Sequence, residues 1–171
     1  MIEPSAGLQL TVAAPQTLVA LEIWGDGAAV QNRWGAALPA PCRSAWVGEQ
    51  RVIWWEPNTW LLGAPLEALA QNEADLRGAV GADGAVTDLS GAFTRICVTG
   101  PLWRDLLMIG GVFDAESPGF GPGCIAGTVI HHLPVRLDVI SDDAVNAYIA
   151  PSYAEDLLHH WTRAAARLQA A

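Results

Sequence analysis

Pro134-Val135-Arg136-Leu137-Asp138-Val139-Ile140-Ser141-Asp142-Asp143-Ala144-Val145-Asn146-Ala147-Tyr148-Ile149-Ala150-Pro151 holds the fold in short form. Val135, Leu137 and Val139 alternate with Arg136 and Asp138, the two-residue period of a half-buried strand. Asp142-Asp143 reads as a turn, and residues 144–149 return as its hairpin partner. Ala150-Pro151 then leads into a helix whose apolar stripe is Ala154, Leu157, Leu158, Trp161, Ala165 and Leu168. Asp156, His159, Arg163 and Arg167 lie off that stripe, and the two arginines suit the negative end of the helix dipole. Ser152 and Glu155 have capping-box spacing, so Ser152→Ala is expected to cost about 1 kcal/mol.

The same signals occur earlier in the chain. Apolar runs at 51–56 and 59–63 meet across Pro57-Asn58, and Ala64-Pro65 precedes Leu66, Leu69, Ala70, Leu76 and Val80 at helical spacing. Gly78, Gly81 and Gly84 are expected to stop that helix. Each hairpin is preceded by a strand, a glycine and a helix. In the first half these are 17–24, Gly25 and 26–36; in the second, 93–99, Gly100 and a helix from Pro101 through Ile109. Residues 38–44 and 112–127 read as Pro/Gly loops, and 128–131 as a strand. Two βαββα units, about 14–80 and 86–171, predict an α+β fold of two ferredoxin-like halves sharing a core within one domain, 1–171.

Composition narrows the function. With 51% hydrophobic residues the chain is too apolar to stay disordered. Nine basic residues face 18 acidic ones, a net charge of −9, and all nine are arginine. A nucleic-acid or anionic-membrane partner is not expected, because either needs clustered positive charge. Without lysine there is no Schiff base, no pyridoxal anchor and no P-loop. Cys42, Cys97 and Cys124 form no disulfide framework, which fits a reducing cytoplasm. Met1-Ile2-Glu3-Pro4 lacks the basic start of a signal peptide. Prolines and polar residues break the charge-free stretches 4–21 and 117–135, so neither reads as a membrane span.

No residue set stands out as catalytic. His131-His132 and His159-His160 are adjacent pairs, which diverge on a strand or helix and do not easily chelate one metal. Cys124 lies seven positions before His131 without an orienting motif, and reads as a small buried hydrophobe rather than a nucleophile. Gly121-Pro122-Gly123-Cys124-Ile125-Ala126 matches a dinucleotide pattern but leads into a strand, whereas pyrophosphate binding needs a helix N-terminus. Eight tryptophans are the unusual feature. Trp54 and Trp55 are neighbours in a strand, so one points away from the core. With Trp60 they are the candidate partner interface.

From Val86 onward the chain resembles the gamma subunit of heterotetrameric sarcosine oxidase. The residues are Thr87-Asp88-Leu89-Ser90, Thr94-Arg95-Ile96-Cys97-Val98-Thr99-Gly100-Pro101, Arg104-Asp105-Leu106-Leu107, Phe120-Gly121-Pro122-Gly123-Cys124, Pro134-Val135-Arg136-Leu137 and Tyr148-Ile149-Ala150-Pro151-Ser152-Tyr153-Ala154. Trp60-Leu61-Leu62-Gly63 looks like the family's W-L-L-G segment. The resemblance implies the folate-binding fold of the aminomethyltransferases. It also implies a place beside alpha, beta and delta subunits in a complex that oxidatively demethylates sarcosine. Such a complex uses FAD, FMN and NAD and passes the one-carbon unit to tetrahydrofolate. Those groups sit in other subunits, so no cofactor, metal or catalytic residue is expected in this chain. The usual basic residue near Pro151 is missing, as is the Asp-Asp pair that folate-dependent relatives place near Val135-Arg136. The absent Asp-Asp pair argues against independent folate chemistry. The alternative is a stand-alone protein or small enzyme of the same fold, binding a folate-like or one-carbon ligand.

Overall fold

The computed structural model describes residues 7–65 and 69–170. They form two compact units, Pro15–Ala92 and a second built from 7–14 together with 93–170. In chain order, β1 (Gln9–Val12) belongs to the second unit. The first unit follows whole: β2 (Thr17–Ile23), α1 (Gly27–Trp34), β3 (Ser44–Val47), β4 (Gln50–Glu56), β5 (Thr59–Ala64), α2 (Leu69–Val80) and β6 (Gly84–Asp88). The second unit resumes with β7 (Thr94–Thr99), α3 (Trp103–Met108), β8 (Ile125–Ile130), β9 (Leu133–Ser141), β10 (Ala144–Ile149) and α4 (Pro151–Leu168).

The two antiparallel sheets have equivalent orders, β3-β4-β5-β2-β6 and β8-β9-β10-β7-β1. In each, the first strand lies between the hairpin's second strand and a closing edge strand, the ferredoxin-like arrangement. The βαββα repeat lacks two strands per unit, although the separate strand read at 128–131 falls on the end of β8. β3 and β8 extend the far edge, and β6 and β1 close the near edge. β3 is four residues long after a Pro-rich loop, and β8 begins three residues inside the expected 112–127 loop. Both are edge strands too short or too glycine-rich to show a clear period. Because β1 lies outside 14–80 and 86–171 and β6 runs across the boundary at 86, the units do not end where the repeat does.

Each sheet carries a hydrophobic cluster on the face its helices cover, so on those faces the expected single core is two. Val19, Leu21, Ile23, Val52, Leu62 and Val86 pack with Val30 of α1 and Leu76 and Val80 of α2. In the second unit Ile96, Val98, Val135, Leu137, Val139, Val145, Ala147 and Ile149 pack with Leu106 of α3 and Leu157 and Trp161 of α4. The alternation read from 135–139 and the stripe read from α4 supply this core. The long loop before β8 is tied down by Arg104, whose guanidinium lies 4.3 Å from the Trp103 ring and donates to the Ala115 and Phe120 carbonyls.

The helix ends follow local chemistry with two corrections. Asp26 caps α1 by accepting from the Ala28 and Ala29 amides at 3.0 and 3.1 Å, and left-handed Gly35 ends the helix at Trp34, two residues short of the expected Ala36. The expected cap at Ser152 is absent. α4 starts at Pro151, its N-cap is Ala150, and no side chain caps it. Proline fixes φ and lacks the N–H that a first helical residue leaves free, so it takes that position and puts Ser152 inside the helix. The start proposed at Pro65-Leu66 falls partly on residues outside those described; Pro65 itself precedes α2, and Gly78 lies within it.

The paired glycines share one task. Gly100 has φ +111°, and a Cβ there would strike the Gly7 carbonyl oxygen, on the segment entering β1. Gly25 occupies the equivalent place after β2, and a Cβ there would meet Asp83, just ahead of β6. Asp83 also accepts from Arg33 Nη2 at 2.7 Å, while Arg33 Nε donates to the Ala79 carbonyl at 2.5 Å near the end of α2. The Arg33 hydrogen bond, helped by the Asp26 amide, holds the Asp83 carboxyl below the ordinary carboxylate range.

Three outcomes follow. Gly100→Ala should cost about 2 kcal/mol or more in denaturant unfolding, since strain and a backbone clash act together. Ser152→Ala should shift stability by no more than about 0.5 kcal/mol, contrary to the capping-box expectation. The contribution of Asp83 is present above the unfolded carboxylate value and is lost as pH falls through its lowered folded value. Asp83→Asn should therefore lessen the loss of stability seen on acidification below about pH 4.

Candidate interface

The tryptophan hairpin is β4–β5, turning through Asn58, whose φ of 62° is left-handed. Trp54 pairs directly with Trp60, which puts both on the face of Val52 and Leu62. Trp60 packs against that cluster and its indole N–H donates to the Pro39 carbonyl at 2.9 Å. It therefore holds the 38–44 loop onto the sheet. Strict alternation would expose one of Trp54 and Trp55, but both are half-buried. The reason is a register shift between Trp54 and Glu56: Trp55 is the extra residue of a bulge and escapes the two-residue period.

The exposed tryptophans are Trp46, at 57%, and Trp24, at 65%. Trp46 pairs with Arg51 across β3–β4, and the Arg51 guanidinium lies 5.3 Å from its ring. Arg51 is itself buried and donates to Ser44 Oγ at 2.6 Å. Trp46, Arg51, Gly63 and Leu18 form one row across the sheet. Trp24 follows the other end of β2, about 20 Å from that row at the rise of a strand. The two exposed rings are thus separate features. Sequence reasoning missed Trp46 because β3 was missed; an Arg-Val-Ile-Trp run facing Ser-Ala-Trp-Val across Gly48-Glu49 was the available signal.

Of the other candidates, the fold brings the His131 and His160 rings together, 4.2 Å apart, and leaves Cys124 remote from His131. Cys124 and His131 stand at opposite ends of β8, about 20 Å apart for a strand of this length. The Cys124 thiol is buried and donates to the Gly119 carbonyl at 2.9 Å. Gly121 to Cys124 form turns ahead of β8, with Gly123 left-handed, and no helix N-terminus follows them. His131-His132 is the two-residue turn between β8 and β9, while His159 and His160 lie on α4. Among the described residues no group of three or more His, Cys, Asp and Glu is arranged to hold a metal ion. Burial pushes the Cys97 thiol up, against a smaller opposing effect of Arg95, which disfavours a reactive thiolate. No described helix is long and apolar enough to cross a membrane.

Comparison with known proteins places this architecture. No curated protein matches the sequence. A solved structure of heterotetrameric sarcosine oxidase from Corynebacterium sp. U-96, in complex with pyrrole 2-carboxylate, contains a similar chain. The two are 26% identical with a TM-score of 0.84, over 96% of this chain and 86% of that one. The glycine cleavage system aminomethyltransferase T from Bartonella henselae shares the fold at 16% identity, with a TM-score of 0.67. There the match covers 91% of this chain and 45% of the transferase.

Two tryptophan substitutions separate packing from surface. Trp60→Ala should cost about 3 kcal/mol in chemical denaturation, because it removes core contacts and orphans the Pro39 carbonyl. Trp46→Ala should cost about 1 kcal/mol or less, the worth of an exposed cation–π contact. The model of the sarcosine oxidase gamma subunit family matches residues 24–167, and the chain belongs to that family.

Proposed function

We propose that the chain, acting over 1–171 as one gamma-type domain, is a non-catalytic subunit of a heterotetrameric oxidase in the cytoplasm. Its partners in this reading are alpha, beta and delta subunits. They carry FAD, FMN, NAD and tetrahydrofolate, and they oxidatively demethylate sarcosine or a related N-methyl amine, handing the one-carbon unit to tetrahydrofolate. The observation that carries the reading is the extent of the likeness: the family model spans 24–167, and the heterotetramer's chain is matched over 86% of its length. The raised Cys97 thiol and the buried Cys124, remote from His131, support a role through shape and surface rather than chemistry. We place the partner contact on the β3–β4–β5 meander, where Trp46 is exposed on the Arg51 face, Trp54 and Trp60 are half-buried on the opposite face, and Trp55 sits in the bulge.

The test is co-expression of the oxidase subunits with and without this chain. The expected result is a stable flavin-bearing, sarcosine-oxidising complex only when the chain is present. Trp46→Ala should weaken its co-purification by about tenfold or more at unchanged thermal stability. Full assembly and turnover without the chain would overturn the reading.

A further inference from the structure

The second unit carries an open cleft of about 460 Å³ between α4 and the β8–β9 turn, lined in part by Ile109, His131, Asp156, His160, Arg163 and Arg167. Its charge runs against that of the chain as a whole, which is −9. Among the described residues, Asp156 is the one carboxylate lining it, against two arginines and three histidines, the third being His159. Among the described residues, the guanidiniums of Arg33 and Arg77 are paired with Asp83 and Glu73. Those of Arg163 and Arg167 have no hydrogen-bond or ion-pair partner among the described residues, and they stand four residues apart on one helix face. Like charges so placed destabilise a helix slightly. The helix dipole offsets this only within the last turn, which accounts for Arg167 and leaves Arg163 and His160 unexplained.

The turn facing them is unusual. His131 and His132 have φ of 48° and 69°, both left-handed, in a two-residue hairpin turn where Asn-Gly is the favoured pair. The strain places the His131 ring on the cleft. It stacks on His160 with centroids 4.2 Å apart and planes 13° from parallel. His160 is held in turn by a 3.3 Å hydrogen bond from Nε2 to the Ile109 carbonyl. Gly110 leaves room for that ring, since a Cβ there would lie 3.1 Å from His160 Nε2.

We propose that this cleft is an oxyanion site for a small phosphate-bearing ligand, with Arg163 and Arg167 as its forked donors and His131, positioned by His160, as a third. Guanidinium groups recognise phosphate oxygens through paired, charge-assisted N–H donors. Two adjacent unpaired forks suit a dianion better than a single carboxylate. The site does not depend on the subunit reading, because every group in it belongs to this chain.

The experiment is calorimetric titration of the full chain with inorganic phosphate and pyrophosphate, at ionic strength held constant with chloride. A glutamate-rich peptide is titrated as a separate arm. The expected result is saturable binding with pyrophosphate tighter than phosphate, weakened roughly tenfold or more by Arg163→Gln or Arg167→Gln. Arg77→Gln, on the other unit, should leave it unchanged. His131→Asn, which suits the left-handed turn, should weaken binding less than either arginine variant. Circular dichroism melts confirm that each variant is folded. No saturable binding up to about 10 mM, or binding that ignores the arginine variants, overturns the proposal. Binding of the glutamate peptide without any response to phosphate also overturns it, and assigns the cleft to an acidic segment of a protein partner.

Discussion

The second unit depends on a backbone crossing that only glycine permits. The segment before β1 passes Gly100 so closely that a methyl group would strike the Gly7 carbonyl, and β1 then pairs with β7 from Gln9 to Val12. Without that crossing β7 would become an edge strand with unpaired amides. The first unit meets the same demand locally, because β6 follows α2 after a three-residue turn. In the second unit the equivalent strand comes from the far end of the chain, more than 80 residues before its partner. Loop closure over that span costs more chain entropy than closing the β9–β10 hairpin does.

Much of this was legible in the residues. The alternation at 135–139, the Asp142-Asp143 turn and the α4 stripe became β9, β10 and a helix with Ala154, Leu157 and Trp161 buried. Gly25 and Gly100 marked equivalent places before the physical reason for them was visible. What escaped were the edge strands β1, β3 and β6 and the first half of β8. A strand of four residues carries too little pattern to be told from a loop, and β1 lay in a stretch read only for membrane character. The Ser152 cap failed because two local rules competed for one helix start, and the backbone restriction of Pro151 outranked a side-chain hydrogen bond. The Trp54/Trp55 alternation failed because one inserted residue resets the period of a strand.

The same physics shapes the functional account. The half-buried Cys97 thiol is raised, and the buried Cys124 thiol lies at the far end of β8 from His131, so neither is poised as a nucleophile. The aromatic investment is instead divided: Trp103 and Trp161 fill the second unit's core, Trp60 staples a loop, and Trp24 and Trp46 face outward. That distribution suits a chain whose contribution is a stable, specifically shaped surface. Membership of the gamma subunit family and the close structural likeness to a chain of a heterotetramer point the same way.

The central claim is that this chain exists as part of a flavin-bearing assembly. Native mass spectrometry of the chain, affinity-purified through its own tag from the cells that produce it, tests this most directly. The account predicts one copy of the chain bound to larger subunits, in a species whose flavin absorbance bleaches when an N-methyl amine is added anaerobically. A species containing only this chain, colourless and unresponsive to amine, would contradict it.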